Sequence, residues 1–242
     1  MPSGGLSISS TLGGRTLGRE QILSWEGRRI TAAAKRLRVD VPASGSVATR
    51  REALLQSKLA LGSETIIDRL SRDIRVSEPL ARAQAAISSR RRVSVTRLAV
   101  TGGTAREFVA WFREETAQSN EPAMLRACPD HFVIRTGKDG RQEVLETTGG
   151  SPLAARFSVD YTNAEGLVTP AHPKYPLQIA GVALGGKDRP IGGVRHQFCD
   201  TETGFEAILT VEFPFPTLPT MVSQHRWHLA CEFSNWIEDA LR

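Results

Sequence analysis

Cysteine is scarce in this chain, and long apolar runs are absent from it. Only three cysteines occur among the 242 residues, at Cys128, Cys199 and Cys231. They form neither an even disulfide framework nor a cluster with zinc-ligand spacing, which favours a reducing, cytoplasmic location. No run of 18 apolar residues is present, and the N-terminal stretch lacks the apolar segment of a secretory signal. We therefore expect neither a transmembrane helix nor a membrane partner.

The sequence also lacks the signatures of several common binding and catalytic sites. Its glycine pairs at 102–103 and 185–186 have neither P-loop nor dinucleotide-binding spacing. No G-x-S-x-G nucleophile elbow occurs, and we find no helix-turn-helix spacing and no aromatic stacking motif. These absences argue against a nucleotide-binding fold and an α/β-type serine hydrolase, and nucleic acid is not the expected partner.

Charge is distributed unevenly along the chain. Residues 1–97 contain 18 Lys and Arg against 8 Asp and Glu, a balance of +10. Residues 98–242 contain 13 against 18, a balance of −5, and together they give the net charge of +5. This asymmetry predicts two regions with different roles, a basic helical region over residues 1–88 and a separate domain over residues 89–242.

The basic region begins with a segment rich in glycine and serine, residues 1–20, which we expect to be flexible. Apolar residues at helical spacing predict one helix over 22–37 and one or two more over 54–74, with a break at Pro42. The simplest interpretation is a solvated appendage or a dimerisation arm, which leaves a homodimer open. Binding of a partner protein or nucleic acid through the basic helices is the alternative.

The pattern changes from Arg90 onward to strands mixed with helices. A strand at Val93–Val100 precedes Thr104 and Glu107, whose spacing predicts the capping box of a helix. A last helix is predicted over 223–242. Between these helices lie short β-like runs at 131–136 and 142–146, joined by a turn at 138–140, and at 155–161, 177–184, 194–198 and 205–213. This order predicts an α+β domain, in which a long C-terminal helix across a curved antiparallel sheet leaves a ligand cavity.

One carboxylate falls on an aromatic helix face. Phe108, Trp111, Phe112 and Glu115 follow the i, i+3, i+4, i+7 pattern and so share one face. Because the aromatic residues mark that face as buried, a carboxylate there needs an ion pair, a hydrogen bond, a proton or a metal ion. Glu115 is therefore a candidate metal ligand. The alternative is that it lies at the helix end, where it reaches solvent or pairs with an arginine.

Four other polar residues stand out by position. His228 and Glu232 lie four residues apart in the last helix, so both can bind one ion. Glu146 ends a predicted strand, and His196 interrupts an apolar one. Each also has a structural explanation: a surface pair, a solvated strand end, and a hydrogen-bonded core histidine. No role is assigned to His131, His172 or His225.

The order of these motifs resembles that of the diacetylphloroglucinol hydrolase family. The similarity covers roughly residues 90–242 and leaves the basic region unmatched. It is carried by Trp111-Phe112 with Glu115, Glu146 before Gly149-Gly150, the run HQFCDTETGFE from His196 to Glu206, and the run HLACEFSNWIEDAL that holds His228 and Glu232. The chain departs from the family pattern at Glu115, which stands where the family has a histidine ligand. Cys128 likewise stands where the family tends to have a histidine, and the segment between Glu146 and His196 is shorter.

The resemblance implies a helix-grip, Bet v 1-like fold, with an antiparallel sheet wrapped around the C-terminal helix and a zinc ion between them. It implies hydrolysis of a carbon–carbon bond that removes an acyl group from an aromatic or polyketide-like β-dicarbonyl compound of secondary metabolism. By position, Glu146, His228 and Glu232 match family metal ligands. Glu115 would complete a shell of three carboxylates and one imidazole, which suits Mn²⁺, Fe²⁺ or Mg²⁺ better than the family's mixed set does and leaves Zn²⁺ open.

The remaining roles follow from this chemistry. The metal would polarise the acyl carbonyl, and His196 would bind the ring oxygens or return a proton as the catalytic residue. Trp111, Phe112 and Trp227 are expected to form the wall of the substrate cavity, although ordinary core packing is their alternative. Two other functions stay open at this point. The same fold could carry altered chemistry, such as a cyclase or a non-catalytic binder of small molecules, or the protein could bind partners or nucleic acid through its basic helices.

Overall fold

A computed structural model describes residues 5–242 of the chain. Within them, no helix combines the length and the apolar character needed to cross a bilayer. The strands are β1 (Ser7–Leu12), β2 (Arg15–Gly18), β3 (Arg91–Thr101), β4 (His131–Thr136), β5 (Gln142–Glu146), β6 (Ala155–Asp160), β7 (Leu177–Gly185), β8 (Arg189–Asp200) and β9 (Gly204–Pro214). The α-helices are α1 (Arg19–Leu37), α2 (Val47–Leu61), α3 (Ser63–Arg69), α4 (Ser71–Ile87), α5 (Ala105–Ala117), α6 (Glu121–Arg126) and α7 (Pro219–Ala240).

All nine strands form one antiparallel sheet in the order β2-β1-β3-β9-β8-β7-β6-β5-β4. The predicted α+β class is confirmed, and seven of the nine strands, β3 to β9, overlap the runs that alternation and turn residues predict. The capping box that starts α5 is also present. The hydroxyl of Thr104 accepts a hydrogen bond from the Glu107 amide, and the Glu107 carboxylate accepts one from the Thr104 amide.

The C-terminal helix α7 packs on one face of this sheet. Hydroxyls on β3 donate to its carbonyls, Ser94 to Val222 at 3.4 Å and Thr96 to Arg226 at 2.9 Å. About two turns further along, the Phe233 ring lies 4.7 Å from the His196 ring on β8. The helix thus crosses several strands, and its buried face looks onto the interior between the sheet and α5.

The basic region is part of this architecture. Strand β1 pairs with both β2 and β3, so the expectation that residues 1–20 are flexible is wrong for 7–18, and residues 1–4 lie outside the described part of the chain. The helix expected over 22–37 is present as α1, and the segment expected to form one or two helices over 54–74 lies in three, α2 to α4, the last of which continues to Ile87. Their apolar faces share buried clusters with later elements: Ile30 and Leu54, for example, belong to one cluster with Phe132 and Leu145. The proposed boundary at residue 88 falls between α4 and β3, where the helices give way to the strands. Residues on both sides of this boundary belong to the same buried cluster.

This shared core gives a prediction for truncation. Removing residues 1–88 would expose the edge of β3 and the apolar surface that α1 to α3 cover on β4 and β5. We expect the remaining fragment, residues 89–242, to aggregate or to lack a cooperative unfolding transition, because exposed edges and apolar patches promote association. Circular dichroism and size-exclusion chromatography would test this. A monomeric fragment that unfolds cooperatively would show that the basic region is separable after all.

A buried lysine links α2 to the loop before β4. Lys58 is 2 % exposed, and its Nζ donates to the carbonyls of Cys128 at 3.4 Å and Pro129 at 3.1 Å. Burial lowers the pKa of this amine to about 8, although nearby groups on Cys128 and Asp130 oppose the shift. The unfolded chain therefore binds a proton more readily at this site than the folded protein does.

The lysine predicts a particular dependence of stability on pH. Between about pH 8 and 10.5 the unfolded amine stays protonated while the folded one is neutral, so its contribution to the free energy of unfolding rises with pH, by about 3 kcal/mol in all. Chemical denaturation across this range should show a smaller rise for Lys58→Met than for the wild type. The exposed Lys35 on α1 provides the control, Lys35→Met, whose profile should follow that of the wild type. Parallel profiles for all three proteins would contradict the argument.

Candidate metal centre

Four donor atoms from three elements meet between the sheet and α7. The Nε2 atom of His228 lies 2.9 Å from Oε2 of Glu232, 3.1 Å from Nε2 of His131 and 3.6 Å from Oε2 of Glu146. The Nε2 atom of His131 lies 3.1 Å from the same Glu232 oxygen and 3.8 Å from the same Glu146 oxygen. All four residues are buried, and the two glutamate side chains retain about a tenth of their exposure. Sequence reasoning found three of the four members.

A β-bulge brings His131 to this face of the sheet. The β4–β5 pairing is regular from Thr136 to Val133, and then the register shifts so that His131 lies opposite Glu146. Phe132 and Val133 consequently both pack into the cluster on the other side, with α1 and α2. Bulges reverse the alternation of a strand locally. His131 therefore lies on the same face as Glu146, which strict alternation would not give.

The hydrogen bonds of the two imidazoles fix which nitrogens face the centre. The Nδ1 atom of His131 lies 3.0 Å from the Met124 carbonyl, which can only accept, so this nitrogen carries a hydrogen. A neutral His131 then presents the lone pair of Nε2 to the cluster. The Nδ1 atom of His228 faces away from the centre, at 3.7 Å from Sγ of Cys128 and 3.9 Å from Oδ2 of Asp130. This is the arrangement that metal-binding histidines adopt.

The distances suit a small divalent cation. Zinc binds histidine nitrogen and carboxylate oxygen at about 2.0–2.2 Å, which separates tetrahedral ligand atoms by about 3.3–3.5 Å. The measured separations between the cluster atoms run from 2.9 to 3.8 Å and bracket this value. In a neutral His131 the lone pair of Nε2 lies 3.1 Å from the Glu232 carboxylate oxygen, and two electron-rich atoms repel each other at this distance. A metal ion or a proton between them removes the repulsion. The donor set therefore fits a metal ion.

The electrostatics of the cluster point the same way. Burial opposes the ionisation of Glu232, yet the two imidazoles, which donate hydrogen bonds to it when they are protonated, hold its pKa far below the usual range. Burial raises the pKa of Glu146 despite the nearby imidazoles. Burial also disfavours the charged form of His228, but the carboxylates of Glu146 and Glu232 raise its pKa well above the usual value. Positive charge is thus favoured at this centre, whether a proton or a metal ion supplies it.

Cys128 and His225 extend the cluster without altering its core. Burial raises the pKa of the Cys128 thiol well above its usual range, so the sulfur beside His228 is protonated. His225 stacks on His228 at 5.2 Å, with its Nδ1 atom 3.3 Å from the Ser94 hydroxyl. Burial, together with the charge of His228, lowers the pKa of His225 well below the usual value. Both residues also have atoms within reach of a metal held by His228.

The structure does not bring Glu115 to this cluster. Its side chain is partly exposed near the end of α5 and accepts a hydrogen bond from the amide of Asn120. The geometry gives no support to the predicted metal-binding role, and the alternative of a helix end that reaches solvent describes Glu115. Its carboxylate is satisfied by a neighbouring amide instead of a cation, because the last turn of α5 lies outside the core that Phe108 and Phe112 enter.

The predicted wall residues have different positions. Phe112 is buried 5.2 Å from Trp236, whose ring lies 5.8 Å from His131, so it forms a second layer behind the cluster. Trp111 is partly buried against Phe108 at 6.2 Å. Trp227 lies in a different cluster, against β1, β2 and α1, on the side of α7 away from the sheet interior. Trp227 therefore does not face the four donors, since adjacent helix positions point about 100° apart.

His196 lies close to the cluster and is incompletely satisfied. It is 5 % exposed, and its Nδ1 atom has no hydrogen-bond partner within residues 5–242. Burial lowers its pKa to about 4, against the raising effect of Glu232, so the ring is neutral near pH 7. Tyr161 also faces this interior. Its hydroxyl donates to Oε1 of Gln142 at 3.1 Å, and burial, with Glu232 and Glu146, raises its pKa above the usual value.

Comparisons with known proteins do not identify a family. No protein-family model matches the chain, and a search of curated proteins finds no significant match. Two surface depressions, the larger of about 310 Å³ beside Glu143 and Arg156, contain none of the four cluster residues. Interpretation of the protein therefore rests on the buried cluster itself and on the motifs in the sequence.

Proposed function

We propose that the cluster binds one divalent metal ion, with Zn²⁺ favoured. The observation that carries this proposal is the convergence of His131, Glu146, His228 and Glu232 atoms within 2.9–3.8 Å in a buried setting. Two neutral imidazoles and two carboxylates give a donor charge of −2, which a divalent ion neutralises. Compared with the shell that included Glu115, this mixed set shifts the preference from Mn²⁺ or Fe²⁺ toward zinc.

We further propose that the protein is a metal-dependent hydrolase that cleaves a carbon–carbon bond in an acylated aromatic or polyketide-like β-dicarbonyl compound. Two histidines and two glutamates form the mixed set that the diacetylphloroglucinol hydrolase resemblance implies, with His131 in the histidine role that Glu115 was expected to fill. The antiparallel sheet and the long α7 packed on it are compatible with a helix-grip, Bet v 1-like fold, and we assign that fold on the same basis.

The side chains around the centre suit such a reaction. A bound metal ion would act as a Lewis acid toward the acyl carbonyl. Hydrolysis adds hydroxide to the acyl carbon, while the ring carbon leaves with the bonding electron pair as an enolate and takes a proton. A neutral His196 can hold and return that proton, and its free Nδ1 atom is available to a ligand. Tyr161, kept protonated, can donate a hydrogen bond to an enolate oxygen.

A second candidate function is a structural metal site in a protein that binds a small molecule without hydrolysing it. Four protein donors already complete a tetrahedral shell, and structural zinc sites are closed in this way, whereas catalytic sites keep a position open. A protein of this kind would use the ion to tie the β4–β5 hairpin to α7 and would bind a small molecule without converting it. The exposed tenth of each glutamate side chain, which admits solvent on that side, favours the catalytic interpretation.

Metal content should distinguish His131 from Glu115. We expect about one zinc per chain in the wild type and in Glu115→Ala, and loss of most of it in His131→Ala, because only His131 contacts the other donors. Mass spectrometry of untagged protein purified without chelators would measure this. Zinc should also raise the unfolding free energy by about 2.7 kcal/mol at 100 times its Kd. Full zinc in His131→Ala with loss in Glu115→Ala would reverse the assignment.

Activity separates the two candidate functions. With acylphloroglucinols and simple aryl β-diketones as probes, we expect release of the carboxylic acid by the zinc-loaded protein. His196→Asn should lower kcat by about 10²–10⁴-fold while zinc content stays unchanged, because it removes proton transfer and not a ligand. Trp227→Phe, on the far side of α7, serves as the control and should retain activity. Stoichiometric zinc without turnover of any probe would favour the structural centre.

A further inference from the structure

Asp130 is a completely buried carboxylate beside the cluster, and the proposed function does not use it. Its side chain has no solvent exposure. Arg29 on α1 binds it through two nitrogens, Nη2 to Oδ1 at 2.6 Å and Nε to Oδ2 at 2.9 Å. The Thr147 hydroxyl donates to Oδ1 at 2.6 Å. A buried carboxylate is tolerated only with such partners, and here they leave the Oδ2 side turned toward α7.

Asp130 contacts or adjoins the segments that carry three of the four donors. It immediately precedes His131 in the chain. Its carbonyl accepts a hydrogen bond from the amide of Thr147 at 3.1 Å, and Thr147 immediately follows Glu146. Its Oδ2 atom lies 3.9 Å from Nδ1 of His228. The carboxylate therefore sits where it can fix the hairpin and the helix relative to one another.

The chemistry of metal-binding histidines suggests a role for Asp130 at this position. Such a histidine usually donates its second ring N–H to a carboxylate, a carbonyl or water, which fixes the ring and makes the ligating nitrogen more basic. Near Nδ1 of His228 lie the Cys128 sulfur at 3.7 Å and Oδ2 of Asp130 at 3.9 Å, the latter beyond direct hydrogen-bond distance, so Asp130 acts on the imidazole through its charge. A thiol accepts weakly, so the negative charge on that side comes from Asp130.

We propose that Asp130 and Arg29 are positioning residues of the metal centre, Asp130 orienting His228 and Arg29 holding Asp130 from α1. The inference rests on the proposed metal site. It gives α1, which carries no donor of its own, a part in metal binding. Because Arg29 neutralises the carboxylate, the pair orients His228 without adding net negative charge to the buried cluster.

The chain contains a matched control for this pair. Glu26, also on α1, is a fully buried carboxylate bound by two nitrogens of Arg51, Nε at 2.5 Å and Nη2 at 2.8 Å. It has the same chemistry and the same burial as Asp130. Within the described residues, however, it makes no hydrogen bond or ion pair with any of the four donors. Removal of either carboxylate charge should therefore lower the stability of the fold to a similar extent. Only the change at Asp130 should also weaken metal binding.

The experiment compares Asp130→Asn with Glu26→Gln in the full-length protein. Zinc affinity by competition with a chromogenic chelator, the absorption spectrum of the Co²⁺-substituted protein and the melting temperature of the metal-free protein are measured. We expect both variants to melt at a lower temperature. Only Asp130→Asn should also bind zinc about 10–100-fold more weakly and shift the Co²⁺ bands, since removal of outer partners has effects of this size. Arg29→Lys, at a side chain with 21 % exposure, should fold and show a smaller change in the same direction.

The outcomes separate this inference from the proposal on which it depends. Wild-type protein that binds no zinc would overturn the metal site and the positioning role together. Tight zinc binding by the wild type, with equal affinity in Asp130→Asn and Glu26→Gln, would overturn the positioning role and leave the metal site standing. If Asp130→Asn fails to fold, unchanged affinity and Co²⁺ bands in Arg29→Lys would have the same meaning.

Discussion

The burial of negative charge is the constraint on which the interior of this protein depends. Glu146 and Glu232 meet two imidazoles in a setting that leaves each glutamate side chain only about a tenth exposed, and the side chains of Asp130 and Glu26 have no exposure at all. Each of these carboxylates has a cationic or donating partner within reach, because an unpaired buried charge costs several kcal/mol. The positions of α1, α2 and α7 against the sheet can be understood as the means of supplying those partners.

The basic region takes part in this compensation. Arg29 pairs with Asp130, Arg51 pairs with Glu26, and Lys58 donates to the carbonyls before Asp130, so three of its cations have partners inside the molecule. An excess of positive charge in a sequence is often taken as a sign of an anionic partner. Here Arg29 and Lys58 bind Asp130 and the carbonyls before it in the other region, Arg51 pairs with an acid of its own region, and the two regions share one core.

Most of the secondary structure could be predicted from the sequence, but the complete site could not. The capping box at Thr104, the turn at 138–140 and the final helix depend on short-range patterns and were located correctly. His131 was missed because the bulge at Phe132 reverses its face, and a bulge leaves no mark in simple alternation. The sequence favoured Glu115 for a related reason. Helical spacing predicts the face of the helix on which a side chain lies, but not the point at which the helix leaves the core.

The positions of the four donors in the chain also determine the order in which they come together during folding. His131 and Glu146 belong to one hairpin and can meet as soon as that hairpin forms, whereas His228 and Glu232 lie about a hundred residues later, near the end of the chain. Contacts across such separations form late in folding, since a long loop must close before they are gained. During synthesis the hairpin would therefore present half of the cluster to solvent until α7 has left the ribosome and docked. The centre is complete only when two segments about a hundred residues apart have come together.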